Sequence, residues 1–248
     1  MTDQQDLYIL PNWPAPESVK AYVSNRAGGV SVSPFDSLNL GMHVQDDAES
    51  VRENRRLFSE ATDMPDSLVW LNQVHGTDVV QLPCDNTPES ADAAFSSMKD
   101  QVCAVLTADC LPVFFCDESG GQVAVAHAGW RGLCSGVLES TLACFEKADQ
   151  VMAWLGPAIG PAAFEVGGEV REAFIEMLPE ADKAFKPANE SGKWLGDLYL
   201  LARQRLAAAG VTQVYGGDYC TFTEKHQFFS YRREGKTGRM ASVIWLSP

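Results

Sequence analysis

What most limits the fold of this chain is a series of short apolar, β-branched runs spread along its whole length. They lie at 69–71, 79–82, 102–106, 113–115, 123–126, 151–155, 211–215 and 242–246. Runs of this length, bounded by turn residues, read as strands. Helical patterns fall between them. The acids that open 46–61 suit a helix start, 133–148 follows Gly132, and 169–178 follows Gly167-Gly168. Over 195–209, Leu195, Leu198, Ala202 and Leu206 share one face before Gly210 ends the pattern. The strands come first in adjacent pairs, at 69–82 and 102–126, and only later alternate with helices. That order predicts a single α/β domain over 1–248 with a mixed sheet, or two sheets, flanked by helices, rather than a Rossmann or TIM topology. No Gly-x-Gly-x-x-Gly follows a strand and no Walker A sequence is present, which argues against dinucleotide and P-loop enzymes.

The charge narrows the partners. With 19 basic against 33 acidic residues the formal charge is -14, and no basic run is present. Neither a nucleic acid polymer nor an anionic membrane is attracted to such a surface. An anionic small molecule needs only a few arginines or a helix N-terminus, so it stays in play. No apolar run approaches the roughly 20 residues of a membrane span. The amino-terminal residues carry no basic n-region and no apolar h-region, so a secretory signal is not expected. The seven cysteines are odd in number, show no Cys-x-x-Cys pair and fall mostly in apolar stretches. They are expected to be reduced, largely buried thiols of a cytoplasmic protein, with Cys110 set apart.

Three segments share one layout, an apolar strand with a reactive side chain at its end and then a turn. They end at His75 in Gln73-Val74-His75-Gly76, at Cys110 in Ala108-Asp109-Cys110-Leu111-Pro112, and at His127 in His127-Ala128-Gly129-Trp130-Arg131-Gly132. Two histidines and a cysteine so placed match the ligand set of a zinc site with an open fourth position. A second reading makes Cys110 a nucleophile with a histidine as its base. A third leaves each residue as an ordinary strand-end side chain. Asp109 is a neighbour of Cys110, but on a strand it points to the opposite face. For an anion, Arg131 stands at a helix start and Arg26 in a glycine-flanked turn. The basic piece Tyr231-Arg232-Arg233-Glu234, with Lys236 and Arg239, is either an exposed hairpin or a source of a phosphate contact through one of its arginines. Asn39-Leu40-Gly41-Met42-His43 offers Asn39 and His43 as further contacts, although His43 reads more readily as a loop histidine. His226, in a polar stretch, reads as solvated.

These phrases together resemble the signature of the YfiH family, also called laccase-domain or multicopper polyphenol oxidase and later purine nucleoside phosphorylase. The similarity continues through Arg26-Ala27-Gly28-Gly29-Val30-Ser31, Ser37-Leu38-Asn39-Leu40-Gly41, Trp154-Leu155-Gly156-Pro157 and Phe229-Ser230-Tyr231-Arg232-Arg233. The resemblance implies a single-domain α/β sandwich with one Zn2+ held by His75, Cys110 and His127, which would be the catalytic set. It implies phosphorolysis of adenosine, inosine, guanosine and methylthioadenosine, and deamination of adenosine. It also carries two other activities. One is copper-dependent oxidation of phenols, with Cu2+ at the same site. The other is editing of a UDP-muramyl peptidoglycan precursor by removal of a misplaced serine. A non-enzymatic metal-binding protein is the remaining alternative.

Counting tests one of these. A multicopper oxidase needs on the order of ten imidazoles, since each soft or borderline ion takes several. The chain has four. Deamination needs a carboxylic acid beside the metal, for which Asp109 is the candidate by neighbourhood. Phosphorolysis needs phosphate under the ribose, for which Arg26, Arg131, Arg232 or Arg233 are the candidates. The oligomeric state is left open.

Overall fold

The apolar runs form strands covered on both faces, and that requires layers on either side of each sheet. The computed structural model describes residues 7–84 and 90–248. The amino-terminal stretch 1–6 and all but the last residue of the Pro/Ser/Asn-rich loop expected over 85–90 lie outside the described residues. In chain order the first half comprises β1 (Tyr8–Ile9), β2 (Val19–Ser24), α1 (Ala48–Thr62), β3 (Val79–Leu82), β4 (Ala93–Ser96), β5 (Cys103–Thr107), β6 (Leu111–Asp117) and β7 (Val123–Ala128). Then follow α2 (Trp130–Ser135), α3 (Val137–Leu142), β8 (Val151–Leu155), β9 (Glu165–Gly167), α4 (Gly168–Met177), β10 (Phe185–Pro187) and β11 (Lys193–Gly196). The chain closes with α5 (Leu198–Ala208), β12 (Gln213–Gly216), α6 (Tyr231–Glu234) and β13 (Met240–Leu246).

Two sheets lie face to face. One is antiparallel, in the order β1-β2-β13-β5. The other runs β12-β8-β6-β7-β4-β3, antiparallel in the middle with a parallel pair at each edge. Between them Val105 and Ile244 of the first sheet meet Phe114, Val125 and Trp154 of the second. The Phe114 and Trp154 rings stack with centroids 5.8 Å apart. On the outer face of the first sheet, Leu106, Val243 and Trp245 pack against Phe58 of α1. On the outer face of the second, Val113, Phe115 and Ala126 pack against Leu133, Leu138, Phe174 and Leu206 from α2 to α5. The result is four layers, helix, sheet, sheet, helices. A small meander, β10-β11-β9, stands beside them.

The structure departs from the sequence reading in four places. The run 69–71 forms no strand; Val69 and Leu71 instead cover the inter-sheet core as a loop. The helix expected over 133–148 starts earlier and is broken, because Gly136 adopts φ 107° and ends α2. That left-handed conformation is one glycine takes without a side-chain clash. The basic piece at 231–239 is no hairpin: the Ser230 hydroxyl caps the short α6, and the chain then enters β13. Of the cysteines, Cys103, Cys116 and Cys134 are buried, while Cys84, Cys110, Cys144 and Cys220 are only half-buried.

Candidate functional site

Strand periodicity aims one of the three reactive side chains into the gap between the sheets, and turns bring the other two to it. His127 follows Val125 by two residues on β7, so it shares the inter-sheet face. Cys110 ends the turn between β5 and β6, which joins one sheet to the other. His75 lies in the turn before β3 and adopts φ 61°, while Asp109 beside Cys110 adopts φ 86°. Left-handed conformations at non-glycine residues are strained and persist where the surroundings hold them. Here both flank the convergence of the three donors.

The ligand atoms of His75, Cys110 and His127 lie within 4.8 Å of one another, and Cys110 Sγ is 3.8 Å from His75 Nε2. Metal bonds of about 2.0–2.3 Å at tetrahedral angles place such donors roughly 3.3–3.7 Å apart. The donor set therefore fits one ion with little movement and leaves a fourth direction open to the cleft. Electrostatics favour deprotonated sulfur. Burial works against the Cys110 thiolate, but the two imidazoles outweigh it and bring the thiol well below its ordinary value. Burial likewise opposes the charge on His127, and the Cys110 sulfur and a carboxylate raise it nonetheless.

That carboxylate belongs to Asp92, fully buried just ahead of β4. It accepts a hydrogen bond from Nδ1 of His127 at 2.7 Å. It also accepts the backbone N–H groups of Val74, His75 and Gly76 at 3.1, 2.9 and 2.7 Å. Burial alone would raise its pKa; these donors hold it below the usual carboxylate range. One side chain thus turns one ligand's ring toward the cleft and fixes the backbone of another. The sequence reading missed it. Its signal was an acid flanked by Ala91, Ala93 and Ala94. A glycine completes the geometry: a β-carbon on Gly129 would fall 2.6 Å from His75 Cδ2 and 3.2 Å from Cys110 Sγ.

The donors open into a cleft of about 740 Å³ whose lining includes Met42, His43, Arg55, Trp70, Gln73, Thr107, Tyr231 and Arg239. Among the described residues no Asp or Glu lines it. Two arginines do, and neither has a carboxylate within ion-pair distance among the described residues. Three consecutive residues, Asn39-Leu40-Gly41, hold both. Arg55 donates from Nε and Nη2 to the Leu40 carbonyl, and its guanidinium lies 3.9 Å over the Trp70 ring. Burial brings Arg55 down to about 10. The Arg239 N–H donates to Asn39 Oδ1 at 2.9 Å, and Gly41 leaves room for the Arg239 stem. His43 is pushed down by burial and by these two arginines. Thr107 Oγ1, at the end of β5, is buried without a hydrogen-bond partner.

The other residues singled out from the sequence lie elsewhere. Arg26 pairs with Glu234 at 2.7 Å and lines a separate surface groove with Lys225 and His226. Arg131 is exposed, stacked on its neighbour Trp130. Arg232 donates to the Glu165 carbonyl, and Arg233 clamps the carbonyls of Thr221, Phe222 and Phe228. Asp109 turns away from the cleft, accepting from the Thr221 hydroxyl and the Arg232 N–H. Asn39 is wholly buried and acts on Arg239 from behind. Of the candidate contacts beyond the three donors, His43 and Arg239 line the cleft. The arginines that line the cleft are Arg55 and Arg239, whereas Arg26, Arg131, Arg232 and Arg233 do not line it. Arg55 was obscured because it sits in a charged helix.

This fold is that of a known group. The chain belongs to the family described as multi-copper polyphenol oxidoreductase laccase, whose model matches residues 20–247. It is 56% identical to the Escherichia coli protein named purine nucleoside phosphorylase YfiH, over 96% of this chain and 98% of that one. It is 52% identical to the Haemophilus influenzae purine nucleoside phosphorylase with the same coverage of each chain. The Neisseria meningitidis protein NMB0706 superposes with a TM-score of 0.93 at 50% identity, covering 98% of this chain and 100% of that one. YlmD from Geobacillus stearothermophilus does so with a TM-score of 0.90 at 30% identity and the same coverage. Among the described residues, no helix is long and apolar enough to cross a membrane.

Proposed function

We propose that this protein is a zinc-dependent purine nucleoside phosphorylase. One observation carries the reading: a His-Cys-His donor set and two arginines without carboxylate partners line the same cleft. The names of its relatives in Escherichia coli and Haemophilus influenzae support it. Nitrogen and sulfur donors with an open fourth position suit Zn2+. A bound ion of this kind supplies Lewis acidity to an oxygen brought against it.

The chain's own residues do the rest. Arg55 and Arg239, fixed from behind by Asn39-Leu40-Gly41, hold phosphate by charge-assisted hydrogen bonds. His43, pushed down by burial and then by its two cationic neighbours, accepts a proton from that phosphate. Thr107 Oγ1 satisfies its missing hydrogen bond on a sugar hydroxyl or a phosphate oxygen. Trp70, Met42 and Tyr231 offer apolar surface for the purine. A phosphate oxygen then bonds to the anomeric carbon as the glycosidic bond breaks, its electron pair leaving on the purine, which takes up a proton. The products are free base and ribose 1-phosphate.

Deamination of adenosine uses the same open position but requires an acid. Asp109 faces away, and among the described residues no carboxylate lines the cleft, so His43 would have to serve. The histidine count leaves too few ligands for several coppers. The proposal takes a small-molecule substrate and no polymer as partner. The test is incubation with adenosine and phosphate, product analysis, and metal content per chain. Adenine, ribose 1-phosphate and about one zinc are expected. Turnover of a UDP-muramyl-serine precursor with none of adenosine would replace the reading with an amidase. Inosine as the sole product would replace it with a deaminase.

A further inference from the structure

Beside the cleft lies a second recess of about 250 Å³, lined among others by His43, Tyr231, Lys236, Thr237 and Arg239. His43, Tyr231 and Arg239 line both cavities, so the recess adjoins the cleft. Three of these five side chains are basic, and no Asp or Glu among the described residues lines the recess. On a chain of formal charge -14 that is an unusual local balance.

The acid two residues before Lys236 is already engaged. Glu234 turns its carboxylate to Arg26, Arg233 and the Thr237 hydroxyl, on the side of the separate groove. Those contacts hold it below the usual carboxylate range against the effect of burial. Arg239 is held rigidly: its Nη1 donates to the carbonyls of Thr237 and Gly238, and the Tyr231 ring lies 6.0 Å away. The Lys236 ammonium lies 5.3 Å over the Phe35 ring and forms no ion pair among the described residues. A fixed guanidinium, an exposed ammonium and an imidazole around one recess are a recognition set for a phosphate group.

We infer that this recess seats a phosphate carried by the substrate itself, with Arg239 shared between it and the attacking phosphate at Arg55. The ligand class would be a purine nucleoside phosphate, with its base in the cleft and its own phosphate against Lys236 and Arg239. This rests on the cleft being the nucleoside site, and direct binding separates the two ideas. Calorimetry would compare adenosine with adenosine 5′-monophosphate on the metal-loaded protein, wild type and Lys236→Glu, alongside phosphorolysis of each. The expected result is that the monophosphate binds at least tenfold more tightly and that Lys236→Glu removes about tenfold of that ratio. Lys236 is exposed, so the variant folds. Equal binding of the two ligands, or a ratio unmoved in the variant, overturns the inference and leaves the phosphorylase reading standing. Equal binding together with a raised KM for inorganic phosphate also overturns it, and assigns the recess to free phosphate. Preferential, Lys236-dependent binding without phosphorolysis of either ligand keeps the recess and overturns the phosphorylase.

Discussion

The carboxylate of Asp92 holds the ring of His127 from behind, at 2.7 Å from Nδ1, while its oxygens also take the three amides of the Val74-His75-Gly76 turn. A partner of this kind typically accounts for 10–100-fold in metal affinity. Asp92→Asn keeps one acceptor oxygen and loses the charge. Competition with a chromophoric chelator is expected to show zinc affinity reduced by roughly that factor. An unchanged affinity would show that the donors orient themselves.

Gly129 sits where a β-carbon would press on both His75 and Cys110. Gly129→Ala is expected to cost about 1–3 kcal/mol of stability from overpacking. The displacement of His75 should be plain in metal retention, read by elemental analysis after gel filtration. Full retention would mean that the turn at His75 moves aside at little cost.

Thr107 Oγ1 already lacks a partner, so removing it loses nothing in the free protein. Thr107→Val is therefore expected to leave the melting temperature unchanged or slightly higher, because an unmet buried hydroxyl is itself unfavourable. KM for substrate should rise several-fold. A clear drop in melting temperature would show that the hydroxyl has a structural role.

The arginines divide by function. Arg239→Ala should raise KM for phosphate by 10-fold or more with modest loss of stability, since no carboxylate is left unpaired. Arg26→Ala should do the reverse. It strips Glu234 of a 2.7 Å partner and is expected to cost about 1–3 kcal/mol in chemical denaturation without altering KM. Equal effects on KM would merge the two sites.

Without metal, Cys110 and His127 form a thiolate–imidazolium pair, with Cys110 pushed down and His127 pushed up. The raised His127 stabilises the fold at low pH, and that part is lost as pH rises through its folded value. The depressed Cys110 stabilises at high pH, and that part is lost as pH falls through its own. The pair is thus charged across the neutral range. Alkylation of the metal-free protein by iodoacetamide should show a midpoint below the roughly 8.5 of a free cysteine, and added zinc should block it. A midpoint at or above that value would mean the pair is not formed.

Much of this was legible in the chain, and the exceptions have physical causes. Runs rich in Val, Ile and Leu became β5, β7, β8 and β13 because burial on both faces favours apolar side chains along the whole strand. Strand β4, Ala-Ala-Phe-Ser, escaped notice because small residues pack there against the helices without strand-like bulk. Strand β2 alternates Lys20 and Tyr22 with buried residues, a pattern too short to stand out. The strand-end layout brought His75, Cys110 and His127 into view. Arg55, Thr107 and Asp92 stayed hidden, since an arginine in a charged helix, a threonine in a strand and a lone aspartate carry no local motif. Only the packing of the two sheets brings them to one place.

That packing has a consequence for how the protein can fail. Asp92 and His127 stand on the six-stranded sheet and the His75 turn leads into it, whereas Thr107 and Arg239 belong to the four-stranded sheet and Arg55 to the helix against it. The two sheets hold the parts of the site as two jaws hold a workpiece, and the layer of Val105, Phe114, Trp154 and Ile244 sets their offset. Damage there would leave metal and anion each bound as before but out of line with one another. Chemistry would then be lost far from any residue that touches substrate.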